Sequence, residues 1–77
     1  MTVTLESTTK LVDLVVNGVR VPARVWEGFT ANGVPCHAFI TRIGVANDAD
    51  HAEFVRDLAE QRAPSPAAAA FPAAFIL

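Results

Sequence analysis

The sequence predicts an α+β fold of β-β-β-α order. It reads as a three-stranded antiparallel β-meander, one C-terminal helix packed on one face, and an apolar Ala/Pro-rich tail. Three observations carry this. Two Asn-Gly pairs, Asn17-Gly18 and Asn32-Gly33, separate runs rich in Val and other apolar residues. Asn-Gly is the strongest short hairpin signal, because both residues tolerate positive φ. A cluster of cap-forming residues, Asn47-Asp48-Ala49-Asp50, precedes a segment of helical spacing. After Arg62 the composition changes: every charged residue lies in 1–62, and Ser65 is the one polar side chain of 63–77.

Residues 1–9 alternate loosely, a weak strand signal from their Thr and Ser. Lys10–Val16 is the first clear strand, Val19–Phe29 the second and Val34–Val45 the third. Pro22 and Pro35 have no N–H to give a ladder, so they belong at strand ends, bulges or unpaired positions. The helix is expected from about Ala49 to Gln61, with an N-cap and acidic first turn that suit its dipole. Its apolar stripe is Ala52, Phe54, Val55, Leu58 and Ala59, flanked by His51 and Arg62. Asp50, Glu53, Arg56, Asp57 and Glu60 cover its other face. Residues 1–62 thus read as the β-β-β-α domain, and 63–77 as an arm. Pro64 and Pro66 block a continuing helix and favour extended backbone over 63–70. Phe71 to Leu77 is too apolar to be left in water.

The turns imply a register. With a two-residue loop at Asn17-Gly18, Val16 pairs with Val19, Leu14 with Val21 and Val12 with Ala23. The same loop at Asn32-Gly33 pairs Glu27 with Ala38, Val25 with Ile40 and Ala23 with Arg42. Alternation then gathers Val12, Leu14, Val16, Val19, Val21, Ala23, Val25, Cys36, Ala38 and Ile40 on one apolar face, assigned to the helix. Leu11, Asp13, Val15, Arg20, Pro22, Arg24, Trp26, His37, Phe39, Thr41 and Ile43 share the other. There Trp26 faces Phe39, and Asp13 lies diagonal to Arg20 and Arg24. A three-residue loop with a bulge would invert this split for one strand.

Composition narrows the function. The chain has 77 residues, a net charge of −2 and one Cys. One Cys forms no internal disulfide, and nothing resembles a Cys-rich metal module. No basic-then-apolar leader and no long apolar run is present, so a globular cytoplasmic domain without membrane contact is expected. Cys36 and His37 are neighbours on one strand and point to opposite faces, so they do not form a nucleophile–base pair. No G-x-G-x-x-G and no phosphate-cradling Lys-Ser/Thr loop occurs. No catalytic residue, metal or cofactor is expected. Glu27 sits on the apolar face, a conflict that points to a strand end or a widened turn.

The positive feature is the mixed face. Trp and Arg are favoured interface anchors, offering a large rigid surface and a forked cation. The candidate partner-binding residues are Arg20, Arg24, Trp26, His37, Phe39 and Thr41, joined by Phe71, Phe75, Ile76 and Leu77 of the tail. In the competing structural reading, the tail seals Trp26 and Phe39 in cis as a second small core. In a third, it reaches a neighbouring chain or presents Phe-Ile-Leu to a partner. Eight extended residues at about 3.1 Å each reach roughly 25 Å, enough for any of these.

Three antiparallel strands followed by a helix resemble the integrase-arm class of DNA-binding domains, which read DNA with the sheet. That resemblance implies nucleic-acid binding, yet those domains look basic. Here only Lys10, Arg20 and Arg24 lie near the relevant face, and phosphate neutralisation supplies most nucleic-acid affinity. In size and acidity the chain is similar to small inhibitors and accessory proteins of phages and mobile elements, anti-CRISPR proteins among them. The expected function is a non-enzymatic module that binds a protein partner or itself as a homodimer. Weak nucleic-acid binding by the sheet is the alternative.

Overall fold

A computed structural model describes all residues, Met1–Leu77. The fold is a sheet-rich α+β fold: a four-stranded mixed sheet with small helices. The elements are β1 (Val3–Val16), β2 (Val19–Thr30), β3 (Pro35–Ile40), α1 (His51–Leu58), α2 (Pro66–Ala69) and β4 (Ala74–Ile76). The sheet order is β3-β2-β1-β4. The first three strands form the expected antiparallel meander. β4, from the tail, pairs parallel with β1.

The first hairpin follows its turn chemistry. Asn17 and Gly18 both have positive φ, and Val16 pairs with Val19, Leu14 with Val21 and Val12 with Ala23. Of residues 1–9, all from Val3 onward belong to β1 itself. The pairing slips between Ser7, opposite Trp26, and Leu11, opposite Arg24. Thr8, Thr9 and Lys10 therefore share the space facing Val25, which makes an enlarged bulge. The Thr8 side chain fills the broken ladder: its hydroxyl donates to the Val25 carbonyl at 2.6 Å and accepts from the Lys10 N–H at 3.2 Å. Thr8 is fully buried, and these bonds offset the cost of burying its hydroxyl.

The second hairpin corrects the expected register. Phe29 pairs with Pro35, Glu27 with His37 and Val25 with Phe39. The loop spans Ala31, Asn32 and Gly33, closed by the Thr30 N–H on the Val34 carbonyl at 2.9 Å. Gly33 has φ +81°, the left-handed residue that ends a three-residue hairpin loop. One extra loop residue slides β3 by one and turns each of its side chains over. Phe39 and His37 move to the apolar face, and Cys36, Ala38 and Ile40 move to the face of Trp26. Trp26 stands opposite Ala38, not Phe39. The third strand also ends at Ile40 rather than Val45, before the prolyl Pro22 would face Arg42.

The tail, not α1, covers the apolar face. Val12, Ala23, Val25 and Ala68 form the buried core, with Leu14, Phe39, Phe71 and Phe75 packed against it. The expected extended arm over 63–70 is instead interrupted by α2. Ser65 caps that helix, accepting from the Ala68 N–H, and Pro66 occupies its first turn, where a missing N–H costs nothing. Lys10 Nζ donates to the Ala69 carbonyl at its other end, at 3.1 Å. Beyond it, β4 pairs Leu14 with Phe75. Aromatic rings then close the layer: Phe71 meets His37 at 5.0 Å between centroids, and Phe39 meets Phe75 at 5.0 Å. Offset and edge-on pairs of this kind add about 0.5–1.5 kcal/mol each beyond burial.

Helix α1 is shorter than the expected Ala49–Gln61. Asp50 is its N-cap, with its carboxylate accepting from the Glu53 N–H at 3.0 Å. The helix buries no residue, and Val55 and Leu58 are 64% and 46% exposed. With no packing to support it, α1 depends on its cap. Asp50→Ala is expected to cost about 1 kcal/mol. Far-UV circular dichroism checks this: loss of helical signal below the main melting transition is the expected result.

Candidate functional site

The face opposite the core carries a groove of about 690 Å³. Its floor comes from Leu11 of β1, Pro22, Arg24 and Trp26 of β2, and Ile40 of β3. Thr41, Arg42 and Ile43, where the chain leaves the sheet, form one rim. Leu58, Ala59 and Gln61, at the end of α1, form the facing wall. That wall is tied down at one end. Ser7 Oγ donates to the Glu60 carbonyl at 2.6 Å, the Arg62 N–H to the Ser7 carbonyl at 3.1 Å, and the Thr9 N–H to the Arg62 carbonyl at 3.0 Å. These backbone groups lie on the edge of β1 away from β2, the same edge that β4 joins further along, so they tether the chain after α1 to that edge of the sheet.

The groove has no acidic side chain in its lining, although the chain is net negative. Arg24 is half-buried and donates to the Thr8 carbonyl at 2.8 Å, which aims its guanidinium along the sheet. Arg42 is exposed and belongs to none of the ion pairs of the protein. Arg20 lies outside the groove and pairs with Asp13 at 3.1 Å, as their diagonal placement implied. On the other side of Trp26 is a second hollow of about 390 Å³. Glu6, Asp57 and Glu60 line it, with Arg62 as its one cation. Trp26 thus stands between a cationic and an acidic hollow.

The expected partner-binding residues divide between the two faces. Arg24, Trp26 and Thr41 are brought together in the groove, and Arg20 shares their face. His37, Phe39, Phe71 and Phe75 meet on the core face as one aromatic cluster. Ile76 and Leu77 are exposed beside β1, at the far edge of the sheet from β3. The tail therefore packs over Phe39 and leaves Trp26 uncovered.

Sequence reasoning missed Arg42, which its register placed opposite Ala23 on the apolar face. An unpartnered cation there is itself a sign that the loop is longer than two residues. It also missed the role of Glu27. This residue is buried in mid-strand, at neither a strand end nor a turn. Its carboxylate accepts from the Ser65 N–H at 2.7 Å, the Ser65 hydroxyl at 2.5 Å and Arg62 at 3.2 Å. It also bonds the His37 ring at 3.0 Å. The hydroxyl and N–H of Ser65 hold the Glu27 carboxyl down from 4.5 to about 2, aided by His37 and Arg62 and opposed by burial. The Ser65-Pro66 pair was the readable signal, a cap residue before a first-turn proline. Cys36 is a half-buried free thiol.

No grouping of three or more His, Cys, Asp or Glu side chains is placed to hold a metal ion. No helix is long and apolar enough to cross a membrane. No protein-family model matches the chain, and no curated protein or solved structure matches it significantly.

Proposed function

We propose that this chain is a small non-enzymatic protein-interaction module of the inhibitor or accessory type, and that the groove beside Trp26 is its binding face. One observation carries the reading. A Trp and two Arg side chains line an open apolar groove that the chain's own tail leaves free. Residues of this kind dominate interface energetics when a partner excludes water from them. His37, Phe39, Phe71 and Phe75 then act indirectly, by holding the sheet that presents the groove.

Trp26 makes the test simple, because the chain has one Trp and no Tyr. Its emission reports on groove occupancy directly. The intact protein is used to capture partners from its source lysate, with and without nuclease, and each candidate is then titrated against Trp26 emission. Trp26→Ala and Arg42→Glu are expected to keep the wild-type melting temperature within a few degrees. Read for both variants by isothermal titration calorimetry, since Trp26→Ala removes the one fluorophore, association is expected to weaken by about 2 kcal/mol or more, roughly thirtyfold. Binding that is unchanged in both variants refutes the groove.

Weak binding of single-stranded nucleic acid is the second reading, favoured by Arg24, Arg42 and Trp26 in one acid-free hollow. Such sites combine base stacking with phosphate neutralisation. The acidic hollow on the other side of Trp26 works against it. The absence of a mobility shift with a short oligonucleotide at low salt ends this reading.

A further inference from the structure

The charge pattern around Trp26 says what kind of segment the groove takes. This inference rests on the interaction-module reading and goes further, to the chemistry of the partner. Arg24 and Arg42 line one side of Trp26, with no carboxylate among the groove residues. Asp57, Glu60 and Glu6 line the other. Asp57 enters no ion pair, and neither does Glu60. Glu6 has Arg62 at 3.8 Å, but Arg62 is engaged more closely by the buried Glu27 at 3.2 Å. Each hollow therefore keeps net charge of one sign, and the two signs differ.

We propose that the groove binds a charge-ordered peptide segment of a partner protein. An apolar side chain of that segment lies on Trp26, its carboxylates face Arg24 and Arg42, and its cation faces Asp57 and Glu60. Three arguments select this occupant. A phosphate backbone carries one sign of charge and would be repelled across the acidic half. A purely apolar segment would bury Arg42 and Asp57 without partners, which is costly. A segment with both signs in the right order satisfies both hollows, and reversed order places like charges together. The exposed apolar side chains of Leu58 and Leu11 flank the path and supply the burial.

The experiment is selection of random twelve-residue peptides displayed on phage against the intact protein, followed by titration of enriched synthetic peptides with Trp26 emission as readout. Enriched sequences are expected to carry Asp or Glu and Lys or Arg on opposite sides of a large apolar residue. Arg42→Glu is expected to weaken such a peptide at least tenfold, and changing the peptide's acid to Lys is expected to restore binding to that variant. Asp57→Arg is expected to do the converse with the peptide's cation. This swap separates direct contact from damage to the fold, because a damaged fold is not rescued by a changed peptide. Peptides that shift Trp26 emission but show no charge order, or no rescue, overturn the inference and leave the module reading standing. If no enriched peptide shifts Trp26 emission, both fall. Quenching of Trp26 by a twelve-nucleotide oligothymidylate at 150 mM salt, with no response to any enriched peptide, also overturns both.

Discussion

Replacing Glu27 by Ala is expected to cost about 3–5 kcal/mol of folding stability, the range for removing one partner of a buried charged network. Glu27 is the clasp between the sheet and the tail. It accepts from Ser65 and Arg62, both of which lie beyond α1, and bonds His37 of β3. Without the carboxylate, the half-buried Ser65 N–H and hydroxyl lose their acceptor, and Arg62 keeps only the Ala63 carbonyl and the more distant Glu6. The loss spreads, because Ser65 also caps α2 and α2 carries the buried Ala68. Small domains hold roughly 5 kcal/mol in total, so the variant is expected to be largely unfolded at 37 °C. Glu27→Gln keeps an acceptor and the volume, and is expected to lose less than half as much. Urea titration of the three proteins checks the order, and a loss below 1 kcal/mol for Glu27→Ala would show that the clasp is not needed.

The same carboxylate sets an acid limit. In the unfolded chain it titrates near 4.5, and in the folded protein it stays ionised to about 2. Between those values the unfolded chain holds the extra proton. The contribution of Glu27 is therefore complete above 4.5 and is lost as pH falls toward 2. Stability measured from pH 6 to pH 2.5 is expected to fall more steeply for the wild type than for Glu27→Gln, with the two curves converging at the acid end. Parallel curves would place the acid sensitivity elsewhere.

Gly28→Ala is expected to cost about 3 kcal/mol or more, for a different reason. Backbone dihedrals are not the obstacle, since Gly28 is not among the positive-φ glycines. The obstacle is space. A Cβ there would lie 1.7 Å from the Thr4 carbonyl oxygen and 2.9 Å from Leu5 Cα. Both are backbone atoms of the neighbouring strand, so no rotamer change relieves the clash, and β1 must part from β2. Amide exchange is expected to accelerate from Val3 to Ser7 before it does in the Asn17-Gly18 hairpin. Gly44→Ala, where a Cβ meets nothing within 4 Å, serves as the matched control and is expected to stay within about 0.5 kcal/mol of wild type. Equal effects at the two glycines would refute the close approach.

Much of this molecule was legible in its residues. Asn17-Gly18 set the first hairpin in register, because a type I′ turn leaves no choice of partner on either side. That register placed Val12, Ala23 and Val25 together in the core and Arg24 and Trp26 on the opposite face. The cluster Asn47-Asp48-Ala49-Asp50 marked the start of α1 to within two residues, and Asp50, read as part of the helix, is its cap. These are short-range matters of dihedral preference and alternation. The tertiary structure decided the rest. One loop residue more at Ala31-Asn32-Gly33 turned β3 over, and a period-two pattern has no tolerance for that slip. Phe39 and His37 then created an apolar and aromatic surface that the tail's Phe71 and Phe75 cover better than the thin stripe of α1 does. Glu27 became acceptable in the core only because Ser65, Arg62 and His37 converge on it from 38, 35 and 10 residues away in the chain. Which apolar surface wins which cover is a competition among distant segments, and no local pattern encodes its outcome. The open groove beside Trp26 is a product of that competition: the tail took the core face, and α1 was left standing over the other.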